Sequence, residues 1–107
     1  MDYKKYREFA DLAGLNESIG ILKYERQQYS EAIAAFEESY RVYQKFFSEG
    51  NARVIRMLDF LIHCYVKVGN KMAAMKYIEI IREIARAIYT KEHPIFTQIN
   101  EYKQLLA

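Results

Sequence analysis

Arg56, Asp59, His63 and Lys67 stand at i, i+3, i+7 and i+11. At about 100° per residue, that spacing sets all four on one face of a helix. Such a row presents two fixed cations, a carboxylate and an imidazole, which suits recognition of an acidic or mixed peptide. A solvated stripe opposite Leu58, Ile62 and Tyr65 accounts for the same residues, and the sequence leaves both readings open. Asp59 and His63, one turn apart, supply two metal ligands, but no third stands at a recognisable spacing. No metal and no cofactor are therefore expected. His63 and Cys64 are neighbours in sequence, so on a helix they diverge by about 100° and do not converge on one ion or one substrate atom. His93, directly before Pro94, reads as a structural residue at a helix start. There is no Gly-rich phosphate loop, no His-Glu-x-x-His and no Ser/His/Asp set, and the chain is not expected to be an enzyme.

The elements that carry these residues follow from periodicity. Apolar positions recur with a period near 3.6 throughout, interrupted at Gly14, Gly20, Gly50-Asn51, Gly69-Asn70 and His93-Pro94. Tyr3 to Glu25 has a helical pattern, and whether Gly14 breaks it is open. Ser30 is expected to cap a second helix with Tyr29, Ala32, Ile33, Phe36, Tyr40, Tyr43 and Phe47 on its stripe. Glu31, Glu37, Glu38, Arg41 and Lys45 lie off that stripe. Asn51 opens a third helix, with Val54, Ile55, Leu58, Leu61, Ile62 and Tyr65 inward, and Gly69-Asn70 closes it. A fourth carries Ala74, Ile78, Ile81, Ile84, Ala85 and Ile88, with Glu79/Arg82 and Glu83/Arg86 as surface pairs. Pro94 suits the first turn of a last helix marked by Ile95, Ile99, Tyr102 and Leu106. The expectation is an all-α fold of about five helices.

Composition narrows the class. A chain of 107 residues, 51% hydrophobic and 28% charged, fits one soluble domain spanning 1–107. Sixteen basic against fourteen acidic residues give +2, too balanced for a nucleic-acid binder held by counterion release. The second half is mildly basic, yet Asp59, Glu79 and Glu83 intersperse its cations, so nucleic acid is not the expected partner. A lone cysteine excludes a disulfide framework and a Cys-rich zinc site. No apolar run reaches the ~18 residues of a membrane span, and MDYKKYREF lacks a signal peptide's apolar core. No membrane association is expected, and a cytoplasmic or other reducing intracellular compartment is. Ten Tyr and six Phe without Trp suit helix faces that are apolar at the ring and wet at the hydroxyl.

An internal repeat organises the chain. At a shift of 42 residues, Ala32 falls on Ala74, Phe36 on Ile78 and Gly20 on Ile62. Leu61, Tyr65 and Gly69 are spaced L-x-x-x-Y-x-x-x-G, with Ala74 five further on. This pattern resembles the tetratricopeptide (TPR) repeat, a helix–turn–helix unit with small residues where its helices cross. Units at about 9–47 and 51–89, then a terminal helix at 94–106, imply antiparallel hairpins stacked as a short superhelix. The chain departs from the pattern at Lys23, where the unit has Tyr, at Gln27, where Gly is usual, and at Ile62, where a small residue is expected. Long units with a following His-Pro are similar to kinesin light chain repeats. The stretch from Gly69 to Leu106 is similar to the C-terminal helical domain of MYND–SET lysine methyltransferases, whose SET and zinc-binding motifs are missing here.

The resemblance implies a concave groove lined by the first helix of each unit. Its positions here are Glu17, Ile21 and Tyr24 in the first unit, and Arg56, Asp59, Phe60, His63 and Lys67 in the second. Cys64 falls where the repeat usually packs a small residue, which implies burial. Glu17, Ile21 and Phe60 occupy the clamp positions of chaperone-tail binders and offer a carboxylate no donor. The implied function is a non-catalytic scaffold or adaptor module, binding a peptide or helix of a partner protein. The alternative is an assembly piece or regulatory subunit of a larger complex, of an enzyme for instance, including a homodimer formed through the last helix.

Overall fold

The computed structural model describes residues 3–107, and among them there are five helices and no strand. These are α1 (Tyr3–Glu25), α2 (Tyr29–Phe46), α3 (Ala52–Lys67), α4 (Lys71–Ile88) and α5 (Pro94–Leu105). The all-α expectation holds. Gly14 does not interrupt α1. One glycine costs about 1 kcal/mol against alanine, too little to stop a helix whose flanking turns are packed. What ends α1 is Gln27, which takes a left-handed φ of 63°.

Three starts are set by side chains. Asn51 accepts from the Arg53 amide at 2.8 Å, Asn70 from Ala73 at 3.1 Å, and His93 Nδ1 from Ile95 at 3.1 Å. Pro94 then occupies the first turn of α5. Ser30 corrects the expectation for α2: it lies inside the first turn, and Gln28 holds the cap position without a side-chain bond. The left-handed turn at Gln27 delivers the chain straight into helical conformation at Tyr29, one residue before Ser30 could serve.

Short connections make successive helices antiparallel neighbours. Along α1 and α2, Tyr6 meets Phe46 edge-on at 5.2 Å, Ser39 Oγ donates to the Ala13 carbonyl at 2.7 Å, and Gly20 faces the Phe36 ring. The buried core runs through all five helices, from Ala13 and Phe36 through Met57, Leu58, Leu61 and Ile62 to Ile78, Ile81, Ile99 and Tyr102. Two stripe residues depart from expectation. Phe47 has left the helix and caps α2 in extended conformation. Ile88, the last residue of α4, is 50% exposed because α4 ends there and half of its side chain spills past Gly50. No helix among the described residues is long and apolar enough to cross a membrane.

Candidate functional site

The residues singled out on α3 lie between α1 and α5. On the α1 side, Arg56 Nη2 meets Glu17 Oε2 at 2.7 Å, and Tyr43 Oη donates to Glu17 Oε1 at 3.1 Å. Glu17 is largely buried, whereas half of the Arg56 side chain stays in solvent. Tyr24 meets Phe60 edge-on at 6.1 Å, and Phe60 stacks on Phe36 at 4.5 Å with ring planes 9° apart. Ile21 is half-buried beside them. Thus Glu17, Ile21 and Tyr24 do share a face with Arg56 and Phe60, but Phe60 and Ile21 spend much of their surface on packing.

On the α5 side, Asp59 is the hub. Its Oδ1 accepts from Tyr102 Oη at 2.5 Å and from Gln98 Nε2 at 3.0 Å, and His63 Nε2 lies 3.4 Å away. Gln98 Nε2 also reaches Tyr102 Oη at 2.7 Å, and the His63 ring stands edge-on to Tyr102 at 5.9 Å. Burial works to raise the Asp59 carboxyl, but hydrogen bonds from His63, Tyr102 and Gln98 outweigh it and leave it below the ordinary aspartate value. Burial first, and then the Asp59 bond and charge, push the Tyr102 phenol up. At neutral pH the proton therefore stays on Tyr102, and Asp59 holds its negative charge. Lys67, at the end of the row, is exposed.

The four-residue charged row of α3 is thus divided among different partners. Arg56 is offset by Glu17, Asp59 and His63 belong to the α5 cluster, and Lys67 remains in solvent. Cys64 points the other way and is fully buried, its thiol pushed up to about 12 by that burial. Among the described residues no group of three or more His, Cys, Asp or Glu side chains is arranged to hold a metal ion.

Two clefts open on this face. One, of about 870 Å³, is lined by Asp59, His63, Glu92, Gln98, Glu101 and Tyr102. Its three carboxylates face one histidine, so it attracts cations. A smaller and more apolar one, of about 390 Å³, extends from Asp59 and Gln98 past Arg56 and Ile55 to Tyr89 and Ile95. Two polar residues here escaped the sequence reading. Gln98 sits four residues before Tyr102, a spacing that puts them on one face. Glu37, read as lying off the α2 stripe, accepts from Tyr65 and, at 3.3 Å, from Tyr77, tying α2 to α3 and α4. Its place four residues after Ile33 and three before Tyr40, both on that stripe, was the available signal. Comparison with protein-family models, curated proteins and solved structures finds no match for the chain.

Proposed function

We propose that the chain is a non-catalytic interaction module of TPR-like repeats. It binds a peptide or helix of a partner protein along the face shared by α1, α3 and α5. The observation that carries this reading is the pair of polar junctions flanking α3: Glu17 to Arg56 at 2.7 Å on one side, and Asp59 to Tyr102 at 2.5 Å on the other. They fix three odd-numbered helices side by side, and the clefts open directly on that surface. Because Arg56 is already offset while Asp59, Glu92 and Glu101 crowd the larger cleft, the ligand carries a basic side chain there. Nucleic acid is disfavoured by the same carboxylates.

Affinity capture with mass spectrometry tests the reading. Glu92→Lys with Glu101→Lys should remove the captured partner, Arg56→Ala with Lys67→Ala, which leaves the carboxylates of the larger cleft in place, should retain it, and Glu38→Ala on another surface should not matter. If all three variants capture the same proteins as the parent chain, the groove reading fails.

A further inference from the structure

The outer face of α1 is a second surface with its own pattern. Leu12, Leu15, Ile19 and Leu22 are 48%, 57%, 39% and 45% exposed, although α2 covers the opposite side of the same helix. Their spacing of three, four and three is the heptad seam of a coiled coil, Leu12 and Ile19 at a, Leu15 and Leu22 at d. The same seam continues to Glu8 at one end and Arg26 just past the other, both exposed. Side chains this apolar, in a continuous row of about three turns, are unusual in solvent.

We propose that this face pairs two copies of the chain, α1 against α1 of the second copy, antiparallel about a two-fold axis at the level of residue 17. The sequence of the seam is self-complementary about that level. Leu15 lies opposite the second copy's Ile19, Leu12 opposite its Leu22, and Glu8 opposite its Arg26, because each pair is centred on position 17. Every layer thus joins an a position to a d position, and the four apolar layers are closed at both ends by an ion pair. A parallel arrangement would set Glu8 against Glu8 and Arg26 against Arg26, so charge selects the antiparallel one. Asn16 and Ser18, flanking the seam next to the axis, are uncharged and leave the helices free to approach. Glu17 itself points inward to Arg56 and Tyr43 and does not obstruct the contact. The last helix offers less: α5 exposes Leu105 at 43%, with no apolar neighbour of similar size and exposure on that helix. The groove of the preceding section lies on the other side of α1, so the two proposals stand or fall separately.

One two-helix seam is at the small end of specific interfaces, so the dimer forms with rising concentration. Sedimentation velocity on the chain from about 5 to about 500 μM reads it against the monomer mass of 12.7 kDa. The weight-average mass should climb towards twice the monomer. Leu15→Glu with Ile19→Glu should hold it at the monomer with helical circular dichroism unchanged, since both side chains are already exposed. Glu8→Arg alone or Arg26→Glu alone should weaken association about tenfold, and the two together should restore it. A chain that stays monomeric throughout overturns the proposal, and so does one that loses a foreign helical partner on Leu15→Glu with Ile19→Glu while never self-associating. Association indifferent to the Leu15 and Ile19 changes places the contact elsewhere. Association indifferent to the charge exchanges overturns the antiparallel register.

Discussion

Gln27 and Gly69, 42 residues apart, occupy the same left-handed backbone conformation, at φ 63° and 77°. The hydrogen bonds around them match. Gln27 and Gln28 amides donate to Tyr24 and Lys23, and Gly69 and Asn70 amides donate to Val66 and Tyr65. Each closes its helix by the same 6→1 bond, and α2 and α4, which follow, have the same length. Glycine takes this conformation without penalty, whereas a side chain costs roughly 1 kcal/mol.

Gln27→Gly should therefore stabilise the chain by about 0.5–1 kcal/mol, a rise of a few degrees in Tm, even though Gly loosens the unfolded chain. Gly69→Ala, with open space around its Cβ, should lower Tm by a similar amount through φ alone. Thermal unfolding followed by circular dichroism reads both, and equal signs for the two variants would contradict the backbone argument.

Two glycines of α1 should respond in opposite directions to alanine. A Cβ on Gly20 would lie 2.6 Å from Phe36 Cε1, and that ring is pinned by stacking on Phe60, so it has nowhere to retreat. Gly20→Ala should cost about 1–3 kcal/mol in denaturant unfolding. At Gly14 the nearest atom is Tyr43 Oη at 3.8 Å, an ordinary contact, so Gly14→Ala should gain about 0.5–1 kcal/mol from helix propensity.

These contrasts show what was legible in the sequence. The small residue at a helix crossing marks Gly20, and the 42-residue shift sets Gln27 on Gly69. Helix starts at Asn51 and Pro94 were equally plain, since each has a local mechanism. Ser30 misled because the turn that sets the start of α2 is dictated by the conformation of Gln27, which its residue type does not announce. The site was harder. Periodicity placed Arg56, Asp59, His63 and Lys67 on one face, but not the partners that divide them. Glu17, Gln98 and Tyr102 come from helices tens of residues away, and the exposure of Leu12, Leu15, Ile19 and Leu22 follows only from the side of α1 that α2 covers.

Cys64 should be inert in the folded chain. Its side chain is fully buried and its thiol is pushed up to about 12 by burial, so almost no thiolate exists at neutral pH. A chromogenic disulfide reagent at pH 8 should titrate less than a tenth of the thiol over minutes, and all of it after unfolding in guanidinium. Rapid labelling of the native chain would mean that α3 opens locally far more often than its packing implies.

The Asp59 cluster should make stability depend on pH at both extremes. The Asp59 carboxyl is held below its ordinary value, so the unfolded chain takes up its proton first as pH falls. The stabilisation is complete above the unfolded value near 3.9 and is lost as pH drops through the lower folded value. Tyr102 behaves in the mirror sense. Its phenol is pushed up by burial and by Asp59, so its contribution is complete below about 10 and is lost as pH rises through the higher folded value. Asp59→Asn should flatten the acid limb of a stability profile, lower stability at pH 7 by about 1–3 kcal/mol through the altered buried bonds, and let Tyr102 ionise earlier. Tyr102→Phe should shrink the alkaline limb and leave Asp59 with two of its three partners. Urea unfolding between pH 2.5 and 11, with the 295 nm phenolate band recorded alongside, measures these effects together. An Asp59→Asn chain with the parent's acid limb would show that the carboxyl is not held by the Tyr102, Gln98 and His63 bonds.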